Sequence, residues 1–139
     1  MRITQLAVFV EDKPGRVAHV AGELAAANIN ILGFDLADTA EGYGVLRLIT
    51  NEPERALETL SRHNYSVTTM NVICAKVPTQ TGGLARTLGW LAERHIGIEY
   101  LYVILNSAVI LGVRDVEAAI EALTKLGVEL VSNDDLRSL

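Results

Sequence analysis

The chain has 139 residues, half of them hydrophobic, and a formal net charge of −5. That much apolar material excludes a disordered chain, and an acidic balance with no dense Lys/Arg cluster argues against nucleic acid and anionic membrane surfaces as partners. No apolar run reaches the roughly 18 residues of a membrane-spanning helix, and the single cysteine, Cys74, allows no internal disulfide, so a cytoplasmic protein is expected.

Thr4 to Val10 alternates in the manner of a half-buried strand. Glu11 to Arg16 then reads as a turn and a helix start, with Pro14 suited to the first helical position, where a missing N–H costs nothing. Val17, Val20, Ala21 and Leu24 recur at helical spacing, and the helix is expected to end near Asn28. Ile29 to Ala37 reads as a strand, Glu41 to Gly44 as a turn, and Val45 to Ile49 as a third extended segment. A helix opening at Asn51-Glu52-Pro53 carries Ala56, Leu57 and Leu60 on its buried face, and Ser66 to Met70 begins another strand.

The same order then starts again. Asn71 to Val77 is apolar and extended, Pro78 to Gly83 is a turn with Thr81 suited to an N-cap, and Leu84, Leu88 and Leu91 follow at helical spacing. Ile96 to Leu105 reads as a strand, Asn106-Ser107 as a tight turn, and Ala108 to Val113 as its partner. Val116 to Leu126 is a helix stopped by Gly127, and Val128 to Val131 closes the unit. A shift of 67 positions lays Gly15 on Gly82, Ala18 on Ala85, Gly22 on Gly89, Leu24 on Leu91 and Ile29 on Ile96. After the next turn the offset shrinks by three or four residues. The expected fold class is therefore α+β: two ferredoxin-like βαββαβ modules in tandem, over 1–70 and 71–139, each an antiparallel sheet with helices on one face. Modules of that size have marginal cores, so surface buried between the modules, or in a homodimer, is expected.

Two junctions stand out chemically. Glu11, Asp12, Lys13, Pro14, Gly15 and Arg16 in the first half, and Thr79, Gln80, Thr81, Gly82 and Gly83 in the second, lead from a strand into a helix. Unpaired N–H groups and the partial positive charge of a first helical turn suit a carboxylate. Asp12 suits an ammonium group, and Asn30 at the next strand offers both donor and acceptor. A zwitterionic amino acid carries that pair of charges; the alternative is a plain Pro-Gly turn with Asp12 assisting the cap. Tyr100 and Tyr102 lie two apart on a strand and share a face, either as a pocket or subunit wall or as ordinary sheet packing. His19, His63, His95 and Cys74 show no metal-ligand spacing, and neither a catalytic grouping nor a cofactor motif is present. No metal, no cofactor and no enzymatic activity are expected.

Asp12-Lys13-Pro14-Gly15-Arg16-Val17, a helix, then Ala27-Asn28-Ile29-Asn30-Ile31 resembles the hallmark of the ACT domain. Gly82-Gly83-Leu84-Ala85, a helix, then His95-Ile96-Gly97-Ile98-Glu99-Tyr100 resembles it again. The resemblance implies a stand-alone regulatory pair that binds an amino acid or related carboxylate at the first strand–helix loop of each module and between modules, and acts on an enzyme of amino-acid metabolism. It implicates Asp12, Gly15 and Asn30 in one half and Thr79, Gly82 and Gly97 in the other. Thr79 and Gly97 depart from the charged pattern, so two equal sites are not implied. The rival readings are a ligand-independent subunit that docks an enzyme through its open sheet, an RNA-binding sheet module, which the charge disfavours, and an acyl phosphatase of the same topology, for which no residues speak.

Overall fold

The computed structural model describes residues 1–39, 41–104 and 107–139. Its contacts divide the chain into two compact units, Thr4–Met70 with Asp134–Leu139, and Asn71–Asn133 with Met1–Ile3.

In the first unit β1 (Ile3–Glu11), α1 (Arg16–Ala26), β2 (Ile31–Asp38), β3 (Tyr43–Thr50), α2 (Pro53–Arg62) and β4 (Ser66–Lys76) follow one another. The strand order is β2-β3-β1-β4. β1 and β2 both run antiparallel to β3, with Leu6 opposite Leu48 and Leu36 opposite Leu46. Alternation along the strands sends Leu6, Val8 and Val10 of β1 and Leu46 and Leu48 of β3 to one face. There they meet Val20 and Leu24 of α1 and Ala56 and Leu60 of α2 in a closed core.

The second unit repeats the plan. The end of β4 is its first strand, followed by α3 (Gly83–Glu93), β5 (Ile98–Val103), β6 (Val109–Val113), α4 (Val116–Leu126) and β7 (Glu129–Val131), with β6 and β7 both antiparallel to β4. Ile73, Ala75 and Val77 pack with Leu91, Leu111 and Leu123. The repeat reaches the backbone. Gly15 and Gly82 precede their helices at φ 88° and 86°, and Asn28 and His95 follow them at φ 58° and 57°. The amides of Ile29 and Ile96 reach back to the carbonyls of Leu24 and Leu91 at 2.9 and 3.0 Å.

Several boundaries differ from expectation. The strands expected to start separately at Ser66 and Asn71 are one strand, β4. Pro14 is not the first helical residue and Thr81 does not cap. Both helices begin one residue after a glycine in the left-handed region, and neither has a side-chain cap. That backbone excludes the extended geometry through which a Thr hydroxyl caps a helix, and it selects glycine for lack of a Cβ clash. A short helix, α5 (Asn133–Arg137), was not expected. It buries Leu136, and Arg137 lies 3.6 Å from Glu54 of α2. The strand end expected at Leu105 and the turn residue Asn106 lie outside the described residues.

Candidate ligand-binding sites at the strand–helix junctions

The β1–α1 loop is held by its own backbone. The Asp12 amide donates to the Gly42 carbonyl at 2.9 Å, Lys13 to Glu11 at 2.8 Å, and Arg16 to Lys13 at 3.3 Å. This shape leaves a cavity of about 260 Å³ between Glu11, Asp12, Lys13 and Val17 on one side and Leu36, Asp38 and Gly44 on the other. Pro14, Gly15 and Arg16 complete the turn into the helix. Glu11 is engaged by Lys13 at 2.9 Å and by Arg16 at 3.8 Å. The Lys13 hydrogen bond first, and then the charges of Lys13 and Arg16, hold its carboxyl below the usual carboxylate range. Asp12 and Asp38 have no ion pair among the described residues, so the cavity offers two carboxylates to a cationic group. The uncapped first turn of α1 stands beside them.

The equivalent junction in the second unit opens on a cavity of about 530 Å³ lined by Pro78, Thr79, Gln80, Gly82, Leu84 and Ser107, among others, with no ionised side chain in its wall. Thr81 and Gly83 complete the loop, and the Gly83 amide donates to Gln80 at 3.0 Å. Pro78 occupies the position of Glu11. Having no N–H, it cannot extend the strand ladder, and β4 stops at Lys76.

Asn30 and Gly97 are not brought to these loops within their own units. Each immediately precedes the strand after the helix, so an 11-residue helix, about 16 Å long, separates it from the junction. The Asn30 amide donates to Asn51 Oδ1 at 2.9 Å, and its Nδ2 donates to the Leu139 carbonyl at 3.1 Å. Gly97 lines a separate cavity of about 500 Å³ with Arg94, His95, Glu99 and Arg114. Tyr100 lies across Gly112, where a Cβ would stand 2.2 Å from its Cζ. Its ring stacks on Tyr102 with centroids 6.4 Å apart and planes at 15°. Sequence reading missed Leu36, Asp38, Gly44 and Ser107. The first three become visible only once β2 and β3 are known to end and begin beside the end of β1, and Ser107 only once the start of β6 is known to lie beside the Pro78 loop.

The histidines of the first unit form a latch. Glu23 Oε1 lies 3.3 Å from His19 Nε2, and Oε2 lies 2.7 Å from His63 Nε2. His63 Nδ1 donates to the Thr59 carbonyl at 2.8 Å, and His19 Nδ1 meets the Tyr65 hydroxyl. The cluster ties α1 to α2 and to the chain entering β4. No His/Cys/Asp/Glu grouping among the described residues is arranged for a metal ion. Burial pushes the Cys74 thiol up to about 11. No helix among the described residues is long and apolar enough to cross a membrane.

Residues 1–139 match the family model described as an ACT domain pair. The crystal structure of protein BT0572 from Bacteroides thetaiotaomicron is 32% identical, covering 100% of this chain and 98% of that one, at a TM-score of 0.92. Aspartokinase alpha and beta subunits (22% identity, 88% and 90% coverage, TM-score 0.61) share the fold. So does the ligand-free regulatory subunit of aspartate kinase from Thermus thermophilus (18%, 88% and 91%, 0.62). No curated protein matches in sequence.

Proposed function

We propose that this chain, which belongs to the ACT domain pair family, is a regulatory protein that binds a small amino acid at its strand–helix junctions and catalyses no reaction. The observation that carries the reading is geometric. At the same place in both repeats a left-handed glycine starts a helix with no side-chain cap, and the loop before it lines a cavity. A carboxylate bound to such a first turn gains about 0.3–1 kcal/mol from the helix dipole, and up to about 2 kcal/mol where partly buried. In the first unit, Asp12 and Asp38 complement the ammonium group of the same ligand. The second cavity has only neutral polar groups in its wall, so the first junction is the stronger site for a free amino acid.

The regulatory role rests on fold. Proteins of this architecture include a regulatory subunit of aspartate kinase, and an enzyme of amino-acid metabolism is the corresponding partner here. A homodimer is part of the reading. Phe34 and Leu36 on β2, at 69% and 54% exposure, and Leu101 and Val103 on β5, at 44% and 64%, leave apolar edges uncovered. The same edges favour the second reading, a subunit that docks an enzyme without any small ligand. A thermal-shift screen against the twenty amino acids separates the two. Ligand at about a hundred times its dissociation constant stabilises by about 2.7 kcal/mol. A shift present in the native chain and lost in Asp12→Ala supports the sensor; a flat screen favours the docking subunit.

A further inference from the structure

Val17 walls two cavities. One is the carboxylate-lined cavity of the first junction; the other, of about 280 Å³, lies between Val17, Val20 and Ala21 of α1 and Ile31, Phe34 and Leu46 of the sheet. They follow one another along the helix-bearing face, since Leu36 of the first lies opposite Leu46 of the second and two residues from Phe34. Val17 and Ala21 are one helical turn apart, so the second cavity runs on about 6 Å along α1. Every side chain in its wall is apolar. An apolar trough thus leads away from the polar group formed by Asp12, Asp38 and the first turn of α1.

The internal repeat accounts for the trough. At an offset of 67, Leu84 stands for Val17, Leu101 for Phe34 and Leu88 for Ala21. Leu88 is partly buried against the second core. Ala21 is exposed and has only a methyl group with which to cover the same strip of its own module. The neighbouring position differs less: Val20 and Thr87 are both buried, and the Thr87 hydroxyl donates within α3 to the Gly83 carbonyl at 2.9 Å. One side chain, an alanine in place of a leucine, separates the open trough from the covered one. Apolar surface left in water is unfavourable, so an apolar group that enters the trough is stabilised there.

We propose that the first junction selects an amino acid with an apolar side chain of leucine or norleucine size, and that Ala21 sets this selection by leaving the trough to that side chain. The proposal rests on the junction reading and narrows its ligand. The ligand's carboxylate meets the first turn of α1, its ammonium group meets Asp12 and Asp38, and its side chain runs past Val17 towards Ala21. Each methylene buried in the trough strengthens binding about two- to fourfold, the lower figure applying beside the exposed Phe34. A polar side chain of the same size finds no side-chain partner in the wall, and an amide buried without one is unfavourable.

The test is a calorimetric titration of the full chain with alanine, 2-aminobutyrate, norvaline and norleucine, and with leucine against asparagine, which is close to it in size. In the native chain affinity climbs about two- to fourfold at each added methylene, and leucine binds about tenfold or more tightly than asparagine. Ala21→Leu gives the first module the residue of the second and removes the climb. The slope is read within each protein, so a general loss of affinity does not imitate the effect, and the leucine–asparagine comparison needs no variant. Amino acids that bind with no dependence on chain length, or with the same slope in Ala21→Leu, overturn the proposal and leave the junction site standing. A flat series together with weaker self-association of Ala21→Leu assigns the trough to the edge of a second copy, and overturns it equally. A chain that binds none of these amino acids loses the junction reading and this proposal together.

Discussion

Two glycines on α3 are predicted to answer the same substitution with opposite signs. A Cβ on Gly83 would stand 2.1 Å from the Pro78 carbonyl oxygen, 2.9 Å from its carbon and 3.1 Å from its Cβ. Two of these are backbone atoms of the loop that lines the second cavity, so the loop itself must move. Overpacking against unyielding atoms costs about 1–3 kcal/mol, of which the loss of glycine's freedom in the unfolded chain returns about 0.5–1 kcal/mol. A 2.1 Å contact with a backbone oxygen belongs in the upper half of that range, about 2–3 kcal/mol, so the net cost of Gly83→Ala is about 1–2.5 kcal/mol, a fall in Tm of roughly 4–20 °C for a cooperative unit of module size. A Cβ on Gly89 meets nothing within 4 Å, so Gly89→Ala gains about 0.5–1 kcal/mol, a rise of roughly 2–8 °C. The first module supplies the reason for the asymmetry: Arg16 stands where Gly83 does, and the Glu11 carbonyl is turned towards the Lys13 amide instead. Calorimetry of the two variants checks both signs. A neutral or stabilising Gly83→Ala would refute the account of the Pro78 loop, and a destabilising Gly89→Ala would mean that another surface closes on that face of α3.

Two further outcomes follow from titratable groups. Cys74 is expected to resist a thiol reagent at pH 8 in the native state and to react at once in denaturant. Its thiol, displaced from 9.0 to about 11 by burial, stays neutral when folded, so its contribution to stability is full below pH 9.0 and is lost as pH rises towards 11; rapid native labelling would contradict the burial. Glu11 carries the opposite sign. Its depressed carboxyl favours the folded state above the unfolded value of 4.5 and loses that advantage on acidification, and Lys13→Ala is expected to move its midpoint upward in an NMR pH titration.

The repeat was legible because it is written in residue identities at positions where packing restricts choice: Leu24 and Leu91 are fully buried in equivalent cores. Strand alternation and helical spacing carried the rest of the architecture. The ends of the elements were less visible. Gly15 and Gly82 look like turn residues before a capped helix, and only the left-handed backbone shows that they replace the cap. Asn30 and Gly97 were grouped with the junctions because the hallmark places them together along the chain. Within a single unit topology sets them apart, since a strand that follows a helix starts where the helix stops. α5 has too few residues for a periodic signal, and the hydrogen bond from Asn30 to Leu139, two residues past its end, joins positions 109 apart. The cavity around Arg114 had a signal that went unused, the exchange of Asn51 for an arginine at the shorter offset.

That exchange bears on how a duplicated chain divides its work. The first module has a charged junction and a sealed far end, with Asn30 bonded to both Asn51 and Leu139. The second has a neutral junction and an open, arginine-lined far end. Were the two modules equivalent sensors of one ligand, both ends would have been held to the same chemistry, because a bound carboxylate makes the same demands in either. Packing demands alone were kept, in the cores and in the left-handed turns. In the proposed reading the two junctions are therefore unequal sites, the first lined by carboxylates and the second by neutral groups. Where the two take different ligands, each ligand alters the affinity of the other by the same factor.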